Sequence, residues 1–226
     1  MKELVFATNN EHKLRELREI AGEKFKILSL KDINCFDDIP ETEPTIKGNA
    51  LIKANYIKDN YGYDCFADDT GLEVEALGGE PGVYSARYAG EDCDSEKNID
   101  KILAKLKNES NRKARFITYI ALILEGNTHI FEGEVQGEIL TERHGEGGFG
   151  YDPVFKPVES ENSFAEIADF CKWRYIEKLS DYVELHEGEE IWEFLMEVWL
   201  TMKQAIADGL NATGILPGGL KVQRKA

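Results

Sequence analysis

Along residues 1–167 the hydrophobic positions fall into two kinds of block, short apolar runs and runs spaced three or four apart. The first kind predicts strands and the second helices. Leu4 to Ala7 reads as a short buried strand. Asn10 can cap a helix whose apolar positions Leu14, Leu17 and Ala21 follow, with Gly22 ending it. Phe25 to Leu28 reads as a second strand, and Ala50, Leu51, Ala54 and Ile57 mark a helix stopped near Gly62. Cys65 to Ala67 predicts a brief strand that runs out into Asp68-Asp69-Thr70-Gly71. Ile99, Ile102, Leu103 and Leu106 mark a third helix. Phe116 to Leu124 and Thr128 to Leu140 then predict a long hairpin around Gly126-Asn127. Gly145 to Gly150 reads as a loop, and the whole of 1–167 as mixed α/β.

The pattern changes near residue 168. Trp173, Trp192 and Trp199 all lie beyond it, and so do Met196 and Met202, whereas residues 1–167 hold no Trp. Ile191, Leu195, Val198, Trp199, Met202 and Ile206 form an amphipathic helical stripe, which we assign to core packing or a partner contact. Two units are therefore expected: a domain over 1–167 and a helical tail of separate origin over 168–226.

Composition narrows the function. The chain has 226 residues, of which 42% are hydrophobic and 31% charged, enough for a packed core. A net charge of −16 argues against a sequence-blind binder of nucleic-acid polymers. No apolar run approaches a membrane span, and the N-terminus lacks a secretory pattern. Cys35, Cys65, Cys93 and Cys171 lie far apart without C-x-x-C, so neither zinc nor a disulfide framework is signalled. A reducing, cytoplasmic setting follows, with Cys65 packing as a small hydrophobe.

Four constellations carry candidate chemistry. Thr8-Asn9-Asn10 with Lys13 sits at a strand-to-helix junction, where free N–H groups and the helix dipole favour an anion such as a triphosphate. The plainer alternative there is an Asn cap beside a solvated Lys. Asp68 and Asp69, placed together at a strand end, repel unless a cation or proton relieves them, and Glu41 offers a further carboxylate. Mg2+ suits such hard oxygens; an acidic turn is the alternative. In Gly147-Gly148-Phe149-Gly150-Tyr151-Asp152-Pro153, the glycines allow close backbone approach, Phe149 and Tyr151 offer flat faces to a base, and Asp152 an acceptor. A structural turn is the alternative here. Gly78-Gly79-Glu80-Pro81-Gly82 places a flexible loop before Ser85 and Arg87. No P-loop motif occurs, and His12, His129, His144 and His186 have no metal-ligand spacing.

Taken in order, these motifs resemble the inosine triphosphate pyrophosphatase family over Lys2 to Ile167. The resemblance rests on ATNN-x-x-K at Ala7 to Lys13, the Glu41 segment and GNALIKA at Gly48 to Ala54. It continues through ADDTGLEVEALGGEPGVYSARYAGED at Ala67 to Asp92 and GGFGYDPVF at Gly147 to Phe155. It implies an elongated α/β fold with a central cleft, usually homodimeric. It also implies Mg2+-dependent hydrolysis of ITP, dITP and XTP, purine nucleoside triphosphates, to monophosphate and pyrophosphate. By motif position, Thr8, Asn9, Asn10, Glu11, His12 and Lys13 would hold the triphosphate, and Thr70 would touch substrate. Glu41 and Asp69 would hold Mg2+, with Asp69 also the base for water and Asp68 supporting it; Phe149, Gly150, Tyr151 and Asp152 would frame the base.

The chain departs from the family after Ser163-Phe164-Ala165-Glu166-Ile167. Relatives continue with a Lys-bearing segment and Ser-His-Arg, which help hold the purine and its 6-oxo group; neither is present here. Glu190 to Ala226 is instead similar to an internal stretch of bacterial iron–sulfur L-serine dehydratases. The cluster cysteines of that family lie elsewhere, so no dehydratase activity is implied. The alternative to an active pyrophosphatase is a degenerate nucleotide-binding or assembly protein with little catalysis.

Overall fold

The two apolar runs that open the chain pair side by side, as β1 (Lys2–Phe6) and β2 (Phe25–Leu28), in parallel register Leu4↔Ile27. They begin a seven-stranded mixed sheet in a computed structural model that describes residues 2–11, 13–14, 18, 25–158 and 160–167. The remaining strands are β3 (Cys65–Val74), β4 (Pro81–Gly82), β5 (Lys113–Leu124), β6 (Asn127–Ile139) and β7 (Phe155–Pro157). Strand order is β2-β1-β3-β5-β6-β7, with β4 also on β3. Only the β1 pairings are parallel.

Each helix covers one stretch of one face. In α1 (Ile46–Tyr61), Thr45 caps the start by accepting from Gly48 N at 3.0 Å, and Gly62 ends it in the left-handed region. Its Ala50, Ala54 and Ile57 are fully buried against Val5, Cys65, Ala67 and Ala121. In α2 (Ser95–Lys105), capped by Asp94, Ile99 and Ile102 pack on Leu72, Val74 and Phe155. Leu14, in the helical stretch after β1, packs with Phe6, Ile27 and Leu122. Side chains alternate across a strand, so Cys65 and Ala67 face α1 while Phe66 and Leu72 face the other way.

The mixed α/β expectation holds, with three differences. β3 does not stop at Ala67: β5 pairs with it from Cys65↔Ile123 to Val74↔Ala114, so the backbone of Asp68, Asp69 and Thr70 is extended strand. The hairpin turns at Glu125 and Gly126, both with positive φ, and Asn127 already pairs with Leu124. The strand Phe155–Pro157 was hidden by its prolines. Leu17, Ala21, Gly22 and the whole expected tail, 168–226, lie outside the described residues.

Candidate active site

On one edge of β3 the pairing is interrupted. β1 leaves it after Phe66, where Ala7 N still donates to the Phe66 carbonyl at 2.8 Å, and β4 joins it only at Leu72. Asp68, Asp69 and Thr70 occupy this gap. Gly71 lets β4 return so close: a Cβ there would meet Ile46 Cδ1 at 2.5 Å and the Gly82 carbonyl at 2.6 Å.

Asp68 and Asp69 lie within β3 and not at a strand end, and cations relieve them as expected. Neighbours on a strand point to opposite faces, and each carboxylate has its own cation. Asp68, on the face that carries Leu14, pairs with Lys13. Asp69, on the α1 face, lies 3.7 Å from the Lys53 ammonium, and the Asn49 side chain works to lower its pKa. Lys53 also donates to Glu41 at 2.7 Å. Arg87 approaches the same Glu41 from the loop after β4, with Nη1 4.0 Å from Oε2.

Burial is what sets the chemistry of this group. It pushes the Asp69 carboxyl above the usual carboxylate range; Lys53 opposes that, while Glu41 and Asp68 add to it. For Lys53, burial works to lower the ammonium, but Asp69, Glu41 and Asp68 together outweigh it and hold it above its ordinary value. Lys53 thus sits as a firmly charged cation between two carboxylates. Among the described residues no three His, Cys, Asp or Glu side chains form a metal cage. Glu41 and Asp69 nevertheless converge on one cation, and two carboxylates suffice for a divalent ion whose other ligands are phosphate oxygens and water.

The Thr8–Lys13 segment forms the wall beside Asp68. Asn10 is a helix cap, its Oδ1 accepting from Lys13 N at 3.2 Å and its carbonyl from Leu14 N. Thr8 Oγ1 accepts from Asn10 N at 3.1 Å, and Asn9 is exposed. Glu11 turns outward to an ion pair with Lys31, away from the gap. His12 lies outside the described residues. Thr70 shares its hydroxyl with Thr118 at 2.8 Å.

The Gly-rich loop separates into an exposed ring and a buried frame. Phe149 is 57% exposed, and Asp152 Oδ2 accepts from its backbone N at 3.0 Å. Gly148 and Gly150 take positive φ around it. Tyr151 departs from the expectation of an open face. Its ring is buried among Leu72, Tyr88 and Val154, and its hydroxyl donates to the Ser85 carbonyl at 2.8 Å. The loop is fastened behind by Gly147 N to the Ala165 carbonyl and Ala165 N to the Asp152 carbonyl. Cys65 behaves as read: fully buried, its thiol bonds to the Ala54 carbonyl and burial pushes it up to about 12.

Sequence reasoning missed Lys53 and Asn49 as members of the site, and named Arg87 after the Gly-rich loop without assigning it a role. Asn49 and Lys53 are four apart, on one face of α1, and Asn49 is 1% exposed. Two polar residues at that spacing beside the fully buried Ala50 and Ala54 were the available signal. Arg87 had none beyond the loop preceding it.

The chain has known relatives in sequence and fold. The chain is 57% identical over 164 residues to a dITP/XTP pyrophosphatase of Flavobacterium johnsoniae, covering 73% of this chain and 85% of that protein. It is 53% identical over 173 residues to a dITP/XTP pyrophosphatase of Porphyromonas gingivalis, covering 76% and 89%. The Ham1 protein structure from Staphylococcus aureus matches with TM-score 0.75 at 36% identity, over 86% of this chain and 98% of that one. A HAM1 protein from Coxiella burnetii matches with TM-score 0.74 at 34% identity, over 82% and 100%. The family model described as Ham1 family matches residues 4–176. With the family model, the sequence identities and the fold in agreement, the chain belongs to the Ham1 family.

Proposed function

We propose that the chain hydrolyses dITP, ITP and XTP to the monophosphate and pyrophosphate. The observation that carries this is the Glu41–Lys53–Asp69 group, half-buried in a sheet gap whose other wall is the capped Thr8–Lys13 segment. The names of the relatives supply the substrate class. Glu41 and Asp69 fit Mg2+ as hard oxygen donors, and the ion, when bound, would neutralise charge on the phosphate oxygens.

The rest of the work falls to the chain's own groups. Lys13 and the N–H groups at the Asn10 cap bind the phosphates. Asp69, with its raised pKa, takes the proton from the water that attacks the α-phosphorus in line, and pyrophosphate leaves. Lys53 balances the charge of Asp69 and Glu41 during that transfer. Phe149 offers its exposed ring to the base, while Tyr151, Gly150 and Asp152 hold the loop that presents it. Thr70 and Asp68 border the reacting centre, Asp68 through Lys13. Residues 168–226 we take as a tail of separate origin, supported by the step in Trp content near 168; the family match itself runs to 176. A homodimer is supported by the resemblance, and a cytoplasmic setting by the free thiols of Cys35, Cys65 and Cys93.

Pyrophosphate release from dITP, XTP, dATP and dGTP, with Mg2+ and with a chelator, tests the proposal. Metal-dependent release from dITP or XTP is expected. No release from any of the four in Mg2+ favours the degenerate nucleotide-binding alternative instead.

A further inference from the structure

We infer that Arg87 is a phosphate-contacting residue, resting loosely on Glu41 in this structure and placed to contact the pyrophosphate portion of a bound substrate. The inference rests on the hydrolase reading above and adds a residue to it. Three carboxylates and three cations meet around the β3 gap: Asp68 with Lys13, Asp69 with Lys53, and Glu41 with both Lys53 and Arg87. Glu41 therefore serves two cations at once, Lys53 at 2.7 Å and Arg87 at 4.0 Å. Arg87 has the looser hold and is the cation released at least cost.

Hydrogen bonds fasten the turn that carries Arg87 and so fix the point from which its guanidinium reaches. Ser85 Oγ accepts from Leu72 N at 2.8 Å and donates to the Gly82 carbonyl at 2.6 Å, fixing the turn to β3. Asn98, buried on α2, donates to the Ala86 carbonyl and accepts from Ala89 N, bracketing Arg87 on both sides. Tyr151 donates to the Ser85 carbonyl, coupling the turn to the loop of Phe149. The Tyr84 ring lies 5.3 Å from the guanidinium carbon and supports its plane. A planar fork held this way suits a phosphate better than a single carboxylate oxygen 4.0 Å away. Lys13 approaches from the helical stretch after β1 and Arg87 from the loop after β4, so the two cations flank the gap.

The test compares Arg87→Ala and Arg87→Lys with the parent full-length chain, in Mg2+. It measures hydrolysis of dITP and inhibition by two probes, inorganic pyrophosphate and IMP. Arg87→Ala is expected to weaken pyrophosphate inhibition about 10- to 100-fold, the loss of one charge-assisted contact, and to leave IMP inhibition within about twofold. Arg87→Lys should recover part of it, since the charge stays and the fork is lost. Equal weakening of both probes with a lowered Tm would show a turn-stabilising role and overturn the inference. So would unchanged pyrophosphate inhibition in Arg87→Ala, given an active parent. A parent that neither hydrolyses dITP nor is bound by pyrophosphate overturns the hydrolase reading itself, and the inference with it.

Discussion

Asp69 shows at the scale of one residue how function is held against stability. Its burial raises the carboxyl pKa, so the folded chain keeps a proton that the unfolded chain has already lost. Below the ordinary carboxylate range this costs nothing. As pH rises through the raised value the cost appears, and it persists at every higher pH. Asp69→Asn keeps the shape and the Asn49 neighbour but removes the ionisation. We expect hydrolysis of dITP to fall by at least ~10²-fold. In chelator at pH 8 the Tm of the variant should equal or exceed the parent's, with the two converging as pH falls below about 4. A marked Tm loss at pH 8, or near-parental activity, would contradict the placement of Asp69 as a buried charged base. Lys53 contributes with the opposite sign of charge: its raised pKa stabilises the fold throughout the neutral range, and that contribution is lost as pH rises from its ordinary value through the raised one.

Among the elements, the gap in β3 depends on how β1 and β4 share one edge. Gly71 is the hinge of that arrangement, because β4 returns within contact distance of its missing side chain. Gly71→Ala must displace the Gly82 backbone or Ile46, at a cost of about 1–3 kcal/mol and a Tm fall of roughly 3–10 °C. Activity should fall with it, since Asp69 is two residues away; a thermally unaltered variant would mean the sheet closes differently. Little of this gap was legible beforehand. The helices were, because Thr45, Gly62 and the apolar spacing from Ala50 to Ile57 are local signals. The long hairpin was, because two long strand-forming runs flank Gly126-Asn127, although only β6 alternates in burial. The continuation of β3 through Asp68 and Asp69 was not, because β5 supplies its hydrogen bonds from about fifty residues further on. For the same reason the two carboxylates read as a crowded pair, although alternation along the strand sends them to different cations. Tyr151 misled in the same way: aromatic residues in a Gly-rich loop look alike in sequence, and only packing separates the buried ring from the exposed Phe149.

For the whole molecule, the residues proposed to hold phosphate and metal lie within 1–167, while the Ser-His-Arg that the resemblance assigns to base selection is absent from the sequence. Stacking on Phe149 tolerates any base. Loss of one or two hydrogen bonds to the 6-oxo group, each about 1–3 kcal/mol when a buried partner is left unmade, removes roughly 10- to 10³-fold of preference. The kcat/KM ratio of dITP to dATP should therefore be low. Replacing 168–226 with a family segment carrying Ser-His-Arg should raise it, and a parent ratio already above about 10³ would place the missing contacts in the tail. The hydrolase itself is tested most directly by running the reaction with dITP in heavy-oxygen water and weighing the products. Attack of water on the α-phosphorus puts the heavy atom in dIMP and leaves the released pyrophosphate unlabelled. Label in the pyrophosphate, or products of dIDP and orthophosphate, would contradict the assignment of Asp69, Glu41 and Lys53 to cleavage between the α- and β-phosphates.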